Sequence, residues 1–420
     1  MKRSAIALFS LLAAMLVFAV VGSLPVLAAD EVVVLVMSGP EAETLRHVAA
    51  RYEKDTSRSV KIMELGRQVQ RNLLTQTLMA KSSDIDLGYT STMEVPAFQA
   101  AGVVEPLEAY MGDPKMTDPS FNQKDFLVWY KIKGKSYALP FYVSTHYLFY
   151  RKDLIKTPAQ TWDEFFKVAR DFTRNHNAKS PTTYGTAFTG LIGVEPTKVF
   201  ASLAFTYDGD IIDEDGTVLL DSPNSIKAAQ LFERMRDEKL VTPEILSQGF
   251  SEVQAALLNG QAAMGAPYWS AAWGMLNEQQ REKIGIAEIP GVKMADGSIR
   301  RHAFVQSMAL VMNAASTRKQ AAWQFLSYLG GKTGAEINAD DGGLPPLKSI
   351  VLDPKRQAKN HEYALAAKVL QTARTVQATT IYTAIQESFN SAFANLMTGK
   401  TDAKGALTEA AKAVRAAQKR

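Results

Sequence analysis

Residues 135–164, KSYALPFYVSTHYLFYRKDLIKTPAQTWDE, decide how this chain is organised. An apolar run with a period of two (Tyr137, Leu139, Phe141, Val143) predicts a strand, and Tyr147 to Tyr150 predicts a second. A polar break, Ser144-Thr145-His146, stands between them. Thr161 then caps a helix, with Glu164 three residues on reaching back toward the cap. A long extended run that changes character midway and enters a helix is expected where a chain crosses between two α/β lobes. Small ligands bind in the cleft between such lobes.

The flanking sequence repeats the α/β theme. Glu31 to Met37 is continuously apolar, as in a strand of a parallel sheet covered on both faces. Ser38-Gly39-Pro40-Glu41 opens a helix with Pro and an acid in its first turn, and Leu45, Val48, Ala49 and Tyr52 form its apolar stripe. Val60 to Ile62 reads as a strand, Gln68 to Ala80 as a helix and Asp84 to Tyr89 as a strand. Beyond the crossover, Phe165, Val168, Ala169 and Phe172 stripe the helix that starts at Trp162. A hairpin is expected over Ile211 to Leu220, with its tip at Glu214 to Thr217. Further helices are expected over Pro223 to Lys239, Ser251 to Asn259 and Arg318 to Leu329, and from about Asp402. The whole is α/β, and 420 residues suffice for roughly two to three domains.

The first 29 residues differ in kind. Lys2-Arg3 precede an uncharged segment with an apolar centre from Ile6 to Val21, ending in Gly22, Pro25 and small residues. This is the pattern of a secretory signal peptide, with cleavage expected after Ala28 or Ala29. The apolar run is long enough to span a bilayer as an anchor, but Gly22 and Pro25 ahead of a small-residue site favour cleavage. The chain has no cysteine, so disulfides, thiolate metal sites and a lipidated tether are excluded. An exported, untethered protein of this kind fits a Gram-negative periplasm. Net charge is +4 without a basic cluster, which argues against nucleic acid as a partner.

Motifs for catalysis are weak. Gly330-Gly331-Lys332-Thr333 holds a GKT, but Leu326 stands where a phosphate loop needs glycine, and a helix end is expected instead. The same residues and Ser316 to Lys319 mimic two β-lactamase boxes without the third. Asp213 to Gly216 resembles part of a calcium loop, yet Ile211 and Ser222 occupy ligand positions. Five scattered histidines lack ligand spacing, so neither metal nor other cofactor is expected. Aromatic residues at turns are more suggestive. Trp269 follows a small-residue strand and can stack on the apolar face of a sugar, with Trp273 one turn on, though both also suit a core. Phe141 and Tyr142 carry the same two readings. Arg301-His302 stand before the apolar run Ala303 to Met312, solvated or ligating.

Five segments carry a family resemblance: Gly134 to Phe141, Leu148 to Leu154, Thr161 to Glu164, Asn259 to Met264, and Thr398 to Lys400 ahead of the last helix. The chain resembles extracellular solute-binding proteins of the family 1 type, the maltose-binding-like receptors of ABC importers. The resemblance implies a type II-like periplasmic binding protein fold, each lobe a mixed sheet flanked by helices, with three hinge crossings. These are expected near 142–147, 305–308 and 343–346. The first lobe would then comprise 30–142 plus 307–344, and the second 146–305 plus 346–420. It implies ligand capture by hinge closure, docking of a monomer on importer membrane subunits, and no catalysis. Carried over by motif, the cleft candidates are Ser38, Gly39, Thr90, Ser91, Phe141, Tyr142, His146, Trp269, Gly342 and Gly343. Arg67 or Gln68 reaches in from the first lobe, and Trp273 and Arg301 complete the set. Two departures stand out. Pro267-Tyr268 precede the tryptophan where the family often has glycine, and Ser144-Thr145-His146 offers no crossover carboxylate. The cargo expected is a carbohydrate or polyol. The alternatives are a polyol phosphate held by Arg67 and Arg301, a polyamine, for which these candidates lack carboxylates, or a substrate of a secreted carbohydrate hydrolase.

Overall fold

The computed structural model describes residues 31–193 and 195–419, so the expected signal peptide lies outside the described residues. Ten strands run through it: β1 (Val32–Met37), β2 (Val60–Leu65), β3 (Leu87–Ser91), β4 (Ala138–Arg151), β5 (Tyr184–Ala187), β6 (Ala262–Trp269), β7 (Ile284–Ala287), β8 (Val292–Lys293), β9 (Ile299–Arg300) and β10 (Val305–Met312). β1 is apolar throughout because it is central, with β2 and β3 parallel to it on either side. Its Val32, Val34 and Val36 meet Leu45, Val48 and Tyr52 of the Pro40–Thr56 helix on one face. Leu35 meets Leu74 and Leu78 of the Arg67–Met79 helix on the other. β10 lies antiparallel between β3 and β4 and completes the first-lobe sheet.

β4 belongs to both lobes. Its first half pairs β10, and its second half pairs β6 and β7, with β5 parallel to β6. The resulting order is β2-β1-β3-β10-β4-β6-β5, with β7 also on β4 and β8–β9 a separate ribbon. Alternation along β4 sorts its side chains. Leu148 enters a core with Phe200, Phe232, Phe389 and Phe393, while Tyr147 and Phe149 enter another with Tyr268 and Trp273.

The polar break therefore does not interrupt the strand. Ser144, Thr145 and His146 are buried inside one fourteen-residue strand, and local partners make that tolerable. Thr145 Oγ1 donates to the Phe304 carbonyl at 2.8 Å, and its N–H donates to Ser270 Oγ at 3.2 Å. The ladder is irregular elsewhere, opposite Met308/Ala309, where Pro140 has no N–H to give. Phe141, passed over there, has its carbonyl taken by Asn338 Nδ2 at 2.8 Å.

Packing also moves the third crossing. Leu347, Ile350 and Val351 lie in the first-lobe core with Trp323 and Leu326, and Leu127 N–H donates to the Pro346 carbonyl at 2.7 Å. Residues 346–351 thus stay with the first lobe, contrary to the motif-based boundary. The passage falls in the His361–Val369 helix, whose Tyr363 and Ala366 face the first-lobe core and whose Leu365 and Val369 face the second. Residues 211–220 form the expected hairpin in its shortest form: Ile212 bridges Val218, and the Leu219 and Asp213 N–H groups donate to the Ile211 and Thr217 carbonyls at 2.9 and 3.0 Å. The GKT segment connects two helices, Lys319–Leu329 and Lys332–Asp340.

Candidate functional site

The site lies where strand ends and helix starts of both lobes converge. On the first-lobe side, β1 ends at Ser38-Gly39, both exposed at the cleft mouth, and the next helix brings Glu41 inward. Burial pushes the Glu41 carboxyl up, with Arg67 opposing, and Tyr89 beside it is pushed far up by burial and by Glu41. Arg67 and Arg71 stand at the start of the Arg67–Met79 helix. Arg71 Nη2 meets Glu94 Oε1 at 2.6 Å, while Glu94 Oε2 accepts from Thr90 Oγ1 at 2.6 Å. Ser91 Oγ donates to Gln306 Oε1 at 3.3 Å.

The second-lobe side is built on the Glu195–Thr206 helix and the end of β6. Trp269 Nε1–H donates to Glu195 Oε2 at 2.6 Å, and the Lys198 ammonium lies 5.6 Å from the indole centroid. Burial pulls the Lys198 ammonium down. Glu195 and Glu94 oppose that, and Arg67 and Arg71 add to it. Since Glu94, Arg67 and Arg71 belong to the first lobe, the two walls face each other across the cleft. Tyr382, at the start of the Tyr382–Met397 helix, has a buried hydroxyl without a partner and feels both Glu94 and Glu195. His146 packs on Trp269 with ring centroids 4.1 Å apart, and its Nδ1 bonds Ser202 Oγ at 2.8 Å. Burial and Lys198 hold the imidazole down at about 3, so it is neutral.

Ser38 and Gly39 follow β1 next to Glu41, and Arg67, Thr90, Ser91, His146 and Trp269 thus lie along the lobe boundary. Other sequence candidates do not. Gln68 is exposed and bonded to Asn72 at 2.9 Å, and it is Gln70 that turns inward, donating to the Tyr89 carbonyl. Trp273 lies on the opposite face of the second-lobe sheet from Trp269, against Tyr147 and Phe149. That separation follows from the path of the chain: Trp269 ends β6 and Trp273 lies in the short Ala271–Gly274 helix that follows. Arg301 turns to Gln160 and Glu288, so it does not join Arg67 in a phosphate-sized basic pair. Phe141 packs edge-on to Tyr89 in the first-lobe core. Tyr142 is buried between Glu41 and Glu362, both of which push its hydroxyl up after burial itself. Gly342 and Gly343 shape a turn: Gly342 has φ +87°, and a Cβ on Gly343 would sit 1.9 Å from Asn338 Oδ1.

Glu41, Arg71, Glu94, Glu195, Lys198 and Tyr382 are the residues that motif reading missed. Two had a local signal, since Glu41 and Glu195 are acids next to proline at the start of a helix, where unpaired N–H groups favour a carboxylate. The carboxylates absent from the crossover are therefore supplied by helix starts on both walls.

Two α/β lobes joined through a shared strand, with an indole, hydroxyls and opposed charges at their junction, define a ligand-binding protein of the two-lobe class. The chain belongs to the bacterial extracellular solute-binding proteins, whose family profile matches residues 47–364. A binding protein of Brucella abortus is 26% identical over 345 residues, 80% of this chain and 80% of that one. The mannitol-binding protein of Pseudomonas aeruginosa is 25% identical over 295 residues, covering 68% and 65%. In fold, the chain is similar to an ABC transporter solute-binding protein from Agrobacterium radiobacter K84 in complex with ribitol. The TM-score is 0.78 at 23% identity, over 93% of this chain and 99% of that one.

Proposed function

We propose that this protein is the substrate-binding component of an ABC importer and captures a carbohydrate or polyol between its lobes. The observation that carries this is the Trp269 indole, fixed by Glu195 and backed by His146, set against a wall of carboxylates and guanidinium groups. An indole face covers the C–H face of a polyhydroxylated ligand, while carboxylates accept from its hydroxyls and Arg and Lys donate to them. Three acids (Glu41, Glu94, Glu195) are matched by three cations (Arg67, Arg71, Lys198). Such a lining suits a neutral solute better than a polyamine or a phosphate ester. The names of the mannitol-binding relative and of the ribitol complex point to the same class.

The same reading makes the protein an exported monomer without catalytic activity. Its signal peptide is removed after Ala28 or Ala29, and it works in the periplasm and delivers its cargo to the importer's membrane subunits. A thermal-shift screen over sugars, sugar alcohols and their phosphates tests it. A ligand at 100 times its dissociation constant stabilises by about 2.7 kcal/mol, a readily measured rise in midpoint. No shift with any neutral sugar or polyol, or turnover of a glycoside by the purified chain, would overturn the proposal.

A further inference from the structure

A cavity of about 190 Å³ lies away from Trp269, where the first lobe's Thr92–Pro96 and Trp129–Ala138 segments meet Thr375–Ala378. Met93 and Val376 on its wall pack into the second-lobe core, so the cavity sits at the lobe junction. Its walls are aromatic and aliphatic, from Trp129, Tyr137, Ile132 and Val95. One corner is different. The hydroxyls of Tyr130 and Thr375 are buried on this wall without a hydrogen-bond partner, and Thr92 and Ser307, the latter behind the lining, stand beside the Tyr130 hydroxyl. Thr92 is already engaged with the Ser307 backbone at 3.0 Å. Buried polar groups are nearly always paired, so two unpaired hydroxyls from two chain segments, facing one cavity, call for an occupant that pairs them.

We propose that this cavity is a second ligand site, taking a small neutral polyol whose hydroxyls meet Tyr130 and Thr375. Its size sets the limit. The cavity falls below the roughly 300–1,000 Å³ of sites for drug-sized ligands, so an extended oligosaccharide does not fit. Its polar corner offers hydroxyls, each able to donate and accept, and no ionised group. Lys131 also belongs to the cavity wall, but the residue is exposed to solvent. A molecule with hydroxyls at one edge and C–H groups along the other matches both halves of the lining.

The test uses the full mature chain and erythritol as probe. Trp129 lines this cavity and Trp269 the cleft, so emission of the Trp269→Phe chain, compared with the Trp129→Phe/Trp269→Phe chain, reports the cavity alone. Expected is a saturable response to erythritol in Trp269→Phe that vanishes with Trp129→Phe. Affinity should weaken at least tenfold in Tyr130→Phe/Thr375→Val on the Trp269→Phe background, with an unchanged or raised melting midpoint. An unaltered response in that variant would overturn the proposal. So would the absence of any saturable response in chains that melt normally, which would mean that the cavity holds water. Failure of the cleft reading shows separately, as mannitol binding that survives Trp269→Ala.

Discussion

Two buried groups titrate in opposite senses, and substitution of either one should tilt the pH profile of stability. Burial, with a smaller push from Lys198, holds the His146 imidazole down at about 3 from its ordinary 6.5. Burial pushes the Glu362 carboxyl up to about 8 from 4.5, with Arg281 opposing. Between pH 4.5 and 6.5 the unfolded chain holds a proton on His146 that the folded chain lacks, so this group makes stability rise with pH. Over the same window the folded chain keeps a proton on Glu362 that the unfolded chain has lost, so this group makes stability fall with pH. Each slope is about 1.36 kcal/mol per pH unit, and the two cancel. From pH 6.5 to 8 Glu362 acts without His146 and lowers stability by about 2 kcal/mol. The Glu362→Gln chain should lose that fall and instead gain about 2.7 kcal/mol between pH 4.5 and 6.5. His146→Phe should tilt the lower window the other way. Urea midpoints at half-unit pH steps, with a constant m-value, measure each profile. Groups common to all three chains, such as Glu41 and Asp210, cancel in the differences. A Glu362→Gln profile parallel to that of the unsubstituted chain would refute the reasoning.

Other substitutions probe the cleft and the hinge. Trp269→Phe keeps an aromatic ring but leaves Glu195 Oε2 without its donor, a loss of about 1–3 kcal/mol in the ligand-free chain by denaturant titration. Trp269→Ala should cost about 3–5 kcal/mol and abolish sugar or polyol binding, because the ring is core and platform at once. Lys198→Met removes a cation that burial disfavours, so the melting midpoint should hold or rise while calorimetry finds affinity reduced at least tenfold. Gly343→Ala must displace Asn338 from the Phe141 carbonyl, and the expected cost of about 1–3 kcal/mol should appear as a lowered urea midpoint. Preserved stability there would show that the turn yields.

Much of the architecture was legible because it rests on local periodicity. β1 reads as a fully apolar run because it is covered on both faces, and the Trp162–Asp171 helix reads from its stripe and its Thr161 cap, which accepts from Glu164 N–H at 3.3 Å. The polar break in β4 misled for a physical reason. A buried Ser-Thr-His run reads as a break in sequence, and it is held as strand where Phe304, Ser270 and Ser202 pair Thr145 and His146 Nδ1 from elsewhere in the chain. Trp273 misled in the opposite way, since sequence proximity to Trp269 says nothing about which face of the sheet a side chain meets once the strand has ended.

The stretch from Lys135 to Glu164 by itself determined an extended segment that runs into a capped helix, and the strands and helices alternating on either side of it set the class as α/β. Where that segment lies, and what gathers round it, only the tertiary structure decided. Arg67, Arg71 and Glu94 meet Glu195, Lys198 and Tyr382 because strand ends and helix starts of two lobes converge at one junction. Those residues lie up to hundreds of positions apart, and no local pattern links them. Hydrophobic periodicity is written in neighbours along the chain, whereas charge pairing and cavity walls depend on distances that exist only after folding.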